Sequence, residues 1–276
     1  MKEPLSLAEA LHPTMDGRLV TSIEHPHTII HTNAAWAAMT GWKFTEVVGK
    51  TLAFLQGPAT AGTALDALHA AIGERRYSQA RIVNYRKDGT PFYCLLECSP
   101  VAGGTHFYAT VRDEPIVDGS VAPISRPAPA YEQKPPVNYC AHARESSHHA
   151  RRTTTKVRLA DALKNELDPI ILCSKEPPHV IIHPNQPWLE MCGYGLEEVE
   201  GLTNAILQGP ETDREAVNEM MTCVRRGESS VQTLVNYKKG GVRFVNQVKT
   251  LPVYDENDDL AAFMAMLREI DEPVLQ

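Results

Sequence analysis

Carboxamide side chains recur along this chain at one fixed spacing. Gln56 and Gln208 stand 152 residues apart, and Asn84 and Asn236 have the same separation. Amides donate and accept hydrogen bonds, so these side chains can bind a polar ligand or the backbone of their own loop. The sequence has no phosphate-binding glycine loop and no paired general acid and base to accompany them. We therefore expect a binding protein rather than an enzyme, with a redox enzyme as the weaker alternative.

The amides belong to two copies of a longer motif, at residues 49–58 and 201–210. The 152-residue register holds without a gap from Leu7 to Pro100 of the first copy, and chance does not sustain a register over such a length. Beyond Pro100 the register shifts by four residues, and loops absorb insertions more readily than strands do. The chain therefore predicts a duplicated domain with a duplicated pocket, and a longer late hairpin in the second copy.

Composition limits what the chain can be. It has 276 residues, of which 43% are hydrophobic and 22% are charged, and this length fits about two ordinary globular domains. A net charge of −7 gives no general reason to expect nucleic-acid binding. The sequence shows no apolar signal core and no run near the roughly 18 apolar residues of a membrane span. We expect a cytoplasmic or nuclear protein that does not bind a membrane.

Each copy follows the same predicted order of elements. A short helix at 7–11 or 159–163 precedes a two-stranded hairpin, and an asparagine, Asn33 or Asn185, then caps a helix that ends at a glycine. An amphipathic helix and three alternating strands complete the copy. The predicted fold class is α+β, with two domains that each hold a five-stranded antiparallel sheet and short helices on one face.

The two domains are joined by a segment unlike either of them. It is rich in proline, and its later part, residues 142–158, carries five basic residues against one acid. A solvated linker explains this composition, and the alternatives are a site for an acidic partner, a nuclear-import signal or a kinase site at Thr153 and Thr154. The predicted segments are an N-terminal helical segment 1–18, domain one 19–113, a Pro-rich then basic linker 114–156, a helical lead-in 157–169 and domain two 170–270.

Cysteine and histidine residues offer two further candidate sites. The six cysteines form no CxxC pair, so we expect free thiols. A disulfide or metal role for Cys94 and Cys98, which share one face of a predicted strand, is the alternative. His31 and His183 recur at the end of the second strand, where we expect half-exposed surface residues, with a haem ligand or a proton switch as the alternative.

The motif Gly-x-x-x-x-Phe-Leu-Gln-Gly-Pro, followed by Asn-Tyr-Arg-Lys-Asp-Gly at 84–89, resembles the flavin-binding LOV subclass of PAS domains. Leu-Gln-Gly-Pro at 207–210 and Asn-Tyr at 236–237 give the second copy the same resemblance. The resemblance covers about 19–113 and 170–270, some two-thirds of the chain. It implies two PAS folds and a sensory function.

The resemblance breaks at the residues that carry LOV photochemistry. The family motif Gly-Arg-Asn-Cys-Arg-Phe-Leu-Gln-Gly supplies a thiol that attacks the flavin, and Leu52 and Asn204 take its position here. The two arginines that bind the flavin phosphate are also absent, and losing two charge-assisted hydrogen bonds costs about 3 to 6 kcal/mol. No cofactor is therefore expected to bind tightly. The positions of those arginines are held by Ala53 and His69 in the first copy and by Ala205 and Met221 in the second.

Other pocket positions are retained only in part. Family amides that contact or sense the flavin ring are replaced by Cys94, Val111 and Leu267, which removes the hydrogen-bond switch between ring and sheet. The amides that remain have a second explanation, since each can serve its own loop or strand edge. The residues that the resemblance places against a flavin are Gln208, Asn236, Asn246, Gln56 and Asn84.

The resulting hypothesis is a non-enzymatic tandem PAS protein that senses a signal or binds protein partners and forms no cysteinyl-flavin adduct. The alternative is a blue-light or redox sensor that binds FMN or riboflavin without a covalent bond and works by photoreduction, mainly through the second domain. We expect protein partners, or a second copy of the chain, at the sheet faces and flanking helices. The expected docking residues are those of 7–11 and 159–163, with Met264 and Met266.

Overall fold

The structure is a computed structural model that describes residues 4–116, 120–125 and 156–271. These residues fall into two compact units, one built mainly from the first half of the chain and the other mainly from the second. Most of the predicted linker, with the greater part of its basic stripe and with Thr153 and Thr154, lies outside the described residues. The hypotheses about that stripe therefore stay predictions.

The first copy contains one antiparallel sheet and four helices. Its elements are α1 (Leu7–Leu11), β1 (Gly17–Ser22), β2 (Ile29–Thr32), α2 (Ala34–Thr40), α3 (Phe44–Val47), a 3-10 turn (Leu52–Leu55), α4 (Gly62–Gly73), β3 (Ser78–Tyr85), β4 (Pro91–Pro100) and β5 (His106–Pro115). The strands lie in the order β2-β1-β5-β4-β3, and each neighbouring pair is antiparallel. This confirms the predicted α+β fold with five strands.

The second copy repeats this arrangement with one addition. Its elements are β6 (Val157–Arg158), α5 (Leu159–Ala162), β7 (Ile170–Ser174), β8 (Ile181–Pro184), α6 (Gln186–Cys192), α7 (Leu196–Val199), a 3-10 turn (Asn204–Leu207), α8 (Arg214–Arg225), β9 (Ser230–Tyr237), β10 (Arg243–Tyr254) and β11 (Leu260–Ile270). β10 and β11 have 12 and 11 residues, against 10 in each of β4 and β5, so the longer late hairpin is confirmed. The addition is β6, which pairs in parallel with the end of β10 beyond the reach of β9.

One asparagine in each copy fixes the junction between the hairpin and the next helix. The Asn33 side-chain oxygen accepts hydrogen bonds from the backbone N–H groups of Trp36 (3.0 Å) and Arg18 (2.8 Å), and its amide nitrogen donates to two carbonyls of the preceding turn. Asn185 makes the same four bonds in the second copy. The helices that follow end at glycines with positive φ, as predicted for these caps.

The lead-in helices pack on their own sheets. Leu7 and Leu11 of α1 are buried, and α1 contacts β1. Leu159 and Leu163 are also buried, and α5 contacts β10 and β11. These leucines and the equally buried Met264 are therefore not the free docking residues that the sequence predicted, because the apolar faces of the helices are already used within each copy.

The longest helices of the described residues, α4 and α8, have 12 residues each. Leu68 of α4 is buried in the first core, and Leu65 and Ile72 pack partly buried beside it. This agrees with the predicted apolar face of the helix. In the same ranges of the chain, no helix combines the length and hydrophobicity that crossing a membrane requires.

Candidate functional site

Apolar side chains occupy the pocket positions of the first copy. Leu52, which the LOV resemblance aligns with the family's cysteine, begins the 3-10 turn and packs partly buried against the first core. Val111, which stands at the position of the ring-sensing glutamine, is buried in the same core. Neither side chain can form a hydrogen bond or a covalent bond to a ligand. The first copy therefore does not fit the contacts that LOV chemistry requires of these two positions.

The polar residues of the first pocket are few. Asn84 on β3 is buried, and its side chain bonds to the thiol of Cys94 on the paired strand β4. Burial raises the pKa of the Cys94 thiol to about 12, and the Asn84 bond opposes that rise only in part. Gln56 is half-buried at the end of the 3-10 turn, where its backbone N–H donates to Ala53. The Cys94 thiol is thus protonated and unreactive at neutral pH.

The second copy brings two predicted residues into direct contact. Asn246 on β10 is fully buried and donates from its side-chain nitrogen to the side-chain oxygen of Asn236 on β9, at 2.9 Å. The Asn236 amide nitrogen donates to the Val235 carbonyl at 3.2 Å, and the Asn246 oxygen accepts from the Arg268 backbone N–H at 3.2 Å. Each amide therefore has partners within the protein, and a ligand would have to compete with them.

Asn204 is the residue of the second copy that the LOV resemblance aligns with the photoactive cysteine. Its amide nitrogen donates to the Cys173 thiol of β7 at 3.4 Å, and its side-chain oxygen is buried without a hydrogen-bond partner among the described residues. Burial raises the pKa of the Cys173 thiol to about 12. Gln208, by contrast, has an exposed side chain. Among the flavin-pocket positions of this copy, Asn236 and Asn246 are thus buried and Asn204 is half-buried, whereas Gln208 is exposed.

The positions of the family's phosphate-binding arginines face solvent or lie near it. Ala53, Ala205 and His69 are exposed, and Met221 of α8 is half-buried. None of these side chains is a permanent cation, so they provide no site for a phosphate dianion.

The repeated Gly-Pro segment ties its loop to the neighbouring strand. Gly57 N–H donates to the Thr60 hydroxyl (2.9 Å), which donates to the Val83 carbonyl (2.6 Å), and Ala59 N–H donates to the Tyr85 hydroxyl (3.1 Å). The sequence alone did not predict this role, although the threonine and tyrosine recur at the same 152-residue spacing. The matching bonds of the second copy run from Gly209 N–H to Thr212 (2.9 Å), from Thr212 to the Val235 carbonyl (2.6 Å) and from Glu211 N–H to Tyr237 (3.3 Å).

The glycines of this segment are required by close packing. A Cβ added to Gly57 would have three atoms of the Tyr85 ring within 3.0 Å, and one added to Gly209 would meet the Tyr237 ring in the same way. Real Cβ atoms do not approach neighbours this closely. Glycine and its Thr and Tyr partners in the repeated motif therefore have a structural explanation that needs no ligand.

Two open surface depressions of the described residues lie away from these amides. One, of about 460 Å³, is lined by the end of α2 and the turn after β3, including Met39 and Arg86. The other, of about 340 Å³, is an open groove on the first sheet lined by residues such as Arg81 and Leu95. Neither includes a residue that the sequence analysis placed against a flavin.

The two strand-end histidines are buried, not half-exposed as predicted. His31 lies on β2, and His183 lies at the equivalent position on β8. Burial lowers the pKa of His183 to about 4, so this imidazole is neutral at physiological pH. Within the described ranges, no three His, Cys, Asp or Glu side chains are grouped to hold a metal ion.

Comparison with known families covers most of the chain. A family model described as PAS domain matches residues 17–114 and 167–272. These two ranges contain β1 to β4, β5 as far as Glu114, and β7 to β11, whereas β6 lies in the gap between them at residues 115–166.

Individual relatives include a tandem LOV protein by name, a blue-light-activated histidine kinase and a transcriptional activator. Protein TWIN LOV 1 of Arabidopsis thaliana is 22% identical over 318 residues, covering 87% of this chain and 78% of that protein. Blue-light-activated histidine kinase 1 of Erythrobacter litoralis is 34% identical over 111 residues, covering 37% of this chain and 31% of that protein. The Bacterioopsin transcriptional activator of Halobacterium salinarum is 31% identical over 97 residues, covering 35% of this chain and 14% of that protein. The chain thus spans less than a third of the length of the last two.

Solved structures show similarity to single copies. A LOV domain from the Erythrobacter litoralis EL346 blue-light activated histidine kinase is 28% identical, with a TM-score of 0.37, and the match covers 38% of this chain and all of that domain. The structure titled "Flavin Analogue Sheds Light on Light-Oxygen-Voltage Domain Mechanism" is 30% identical, with a TM-score of 0.38, and covers 41% of this chain and 85% of that one.

Proposed function

We propose that this chain, which belongs to the PAS domain family, is a sensory protein related to LOV photoreceptors that acts through protein partners and forms no cysteinyl-flavin adduct. It has no catalytic activity of its own in this proposal. The observation that carries it is the placement of Leu52 and Val111 in the first core, at the two positions where LOV chemistry needs a thiol and an amide.

The second copy supports the same conclusion by a different route. Asn204 stands in place of the thiol, and an amide cannot attack a flavin ring as a thiolate does. Asn236 and Asn246 satisfy one another at 2.9 Å, and no arginine stands at the two phosphate positions. A phosphorylated flavin that bound here would have to break the hydrogen bond between Asn236 and Asn246. It would gain no ion pair between its phosphate and an arginine in return.

The test is the absorbance of the full chain purified without added cofactor. We expect colourless protein that remains folded by circular dichroism and releases no stoichiometric flavin on denaturation. Protein that carries stoichiometric flavin and bleaches reversibly through a thiol bond under blue light would overturn the proposal. The variant Asn204→Cys, combined with Ala205→Arg and Met221→Arg, measures what the second pocket lacks, because it restores the thiol and both cations. The equivalent variant of the first copy, Leu52→Cys with Ala53→Arg and His69→Arg, serves as the comparison. We expect it to restore less flavin binding than the variant of the second copy.

A second candidate function is a flavin sensor that works through the second copy without a covalent bond. The observation that favours it is the buried side-chain oxygen of Asn204, which has no hydrogen-bond partner among the described residues and can accept a bond from a ligand. Asn204, Asn236 and Asn246 would hold FMN or riboflavin, which would supply blue-light absorption. Titration of the full chain with riboflavin tests this function, and Asn246→Leu should abolish any quenching of flavin fluorescence. Unquenched flavin at all protein concentrations would exclude it.

A further inference from the structure

The outer face of the first sheet neutralises its own charges. Arg81 on β3 pairs with Glu114 on β5 at 3.0 Å. Arg112, also on β5, pairs with Asp16 at 2.9 Å and lies 3.9 Å from Glu97 on β4. Each of these two arginines therefore has a carboxylate neighbour within the same copy. An acidic partner protein would have to displace that carboxylate before it could pair with the arginine.

The outer face of the second sheet has one such pair, Arg243 with Glu211 at 2.9 Å, at the start of β10, but its central cations have no such pair within the described ranges. Lys249 and Arg268 are exposed, and neither makes an ion pair with another described residue. Val231 is 57% exposed beside them, although it is a large apolar side chain. The central part of this face has three cross-strand rows, which are Val231–Lys249–Met266, Thr233–Gln247–Arg268 and Val235–Val245–Ile270.

The two copies differ at the positions that decide this balance. Lys249 stands where the first copy has Glu97, and Ile270 stands where it has Glu114. Arg268 keeps the position of Arg112. Two of the three acids that neutralise the first face are thus replaced by a lysine and an isoleucine. The third, Asp16, is kept as Asp168, which accepts a hydrogen bond from Asn165 at 3.2 Å and forms no ion pair with Arg268. The three rows themselves hold two cations among valine, methionine and isoleucine side chains and no acid.

We propose that the outer face of the second sheet binds an acidic, amphipathic segment of a protein partner. Apolar side chains of the segment contact Val231 and Met266, and its carboxylates pair with Lys249 and Arg268. Pairing of this face with itself in a second copy is disfavoured, because a two-fold axis would set cations against cations. The inference rests on the proposed function as an interaction protein, and adds which sheet is used and the charge of the partner.

The test measures binding of a labelled peptide to the full chain by fluorescence anisotropy. The probe is a helical peptide of about 16 residues in which leucine recurs every three or four positions and glutamate fills the polar face. We expect it to bind, and to bind more weakly as salt is added, because exposed ion pairs are screened. Lys249→Glu with Arg268→Glu should weaken binding by about tenfold or more, since two attractions become repulsions.

Two controls make the test specific. Gln79→Glu adds an acid to the first sheet at the position equivalent to Val231 and should leave binding unchanged. A peptide with lysine in place of glutamate should bind at least tenfold more weakly than the acidic peptide. Equal binding of the two peptides, no effect of the double charge reversal, or displacement of the acidic peptide by single-stranded DNA would overturn the inference.

The outcome is separable from that of the proposed function. If the acidic peptide does not bind and the purified protein is colourless, the inference fails and the proposed function stands. If the protein carries a flavin that forms a thiol adduct, the proposed function fails whatever the peptide does.

Discussion

Replacing Gly57 with alanine tests whether the repeated Gly-Pro motif is a packing feature. The added Cβ would have three atoms of the Tyr85 ring within 3.0 Å, so the ring would have to retreat by roughly 1 Å to restore ordinary contact. Tyr85 is 1% exposed and its hydroxyl accepts a hydrogen bond from Ala59 at 3.1 Å, so the ring has no free space to enter. Overpacking of this kind costs about 1 to 3 kcal/mol. We expect Gly57→Ala to lower the free energy of unfolding of the first domain by about 2 kcal/mol.

The assay is urea unfolding followed by tryptophan fluorescence, with Gly73→Ala as the matched control. Gly73 is the last residue of α4, and a Cβ added there meets no atom within 4 Å. The control should leave stability unchanged or raise it by up to about 1 kcal/mol, because alanine is the better helix former. In a Tyr85→Leu background the cost of Gly57→Ala should fall to about 0.5 kcal/mol or less, since the ring that it meets is gone. A loss below about 0.5 kcal/mol in the native background, or an equal loss in both backgrounds, would refute the steric explanation.

Three further results are expected in the second domain, each measured by urea unfolding. Thr212→Val removes the hydroxyl that bonds to the Val235 carbonyl at 2.6 Å and should cost about 1 to 3 kcal/mol; a cost near zero would show that water replaces it. Asn246→Leu should cost a similar amount, because the side-chain oxygen of Asn236 loses the donor that it has at 2.9 Å, and the double change of both asparagines to leucine should recover part of that loss; additive losses would contradict the pairing. His183, with its pKa lowered by burial to about 4 from about 6.5 when unfolded, favours the fold when neutral, so its contribution is complete above about pH 6.5 and falls by about 3 kcal/mol as the pH drops to 4. His183→Phe should flatten that pH dependence, and an unchanged slope would show that other groups cause it.

The sequence predicted the fold well because its strongest features are local and repeated. The two copies share one register, so an ambiguous segment in one copy is supported by its equivalent in the other. Asn33 and Asn185 are helix caps as predicted, since the preference for asparagine at a helix start arises from the backbone of that helix alone. The longer late hairpin was also predictable, because the separation between equivalent residues of the two copies increases from 152 to 156 residues after Pro100. Such an insertion lengthens a loop and leaves the alternation of side chains along the strands unchanged.

Features that depend on tertiary packing were not predictable in this way. The lead-in leucines and the strand-end histidines are buried, and hydrophobic periodicity does not show what covers a face. β6 has only two residues, too few for any pattern. Whether Asn236 and Asn246 turn toward a ligand or toward one another is decided by the register of β9 and β10, which places both on the same face.

The docking of α5 and β6 on the second sheet determines how this protein can be divided for experiments. A fragment that starts at the first residue of β7 would omit Leu159, which is 2% exposed, and would uncover the parts of β10 and β11 that α5 contacts. Such a fragment would be prone to self-association for reasons unrelated to the native protein. A fragment that contains only the C-terminal half should therefore begin upstream of Val157, so that β6 and α5 remain packed on the second sheet.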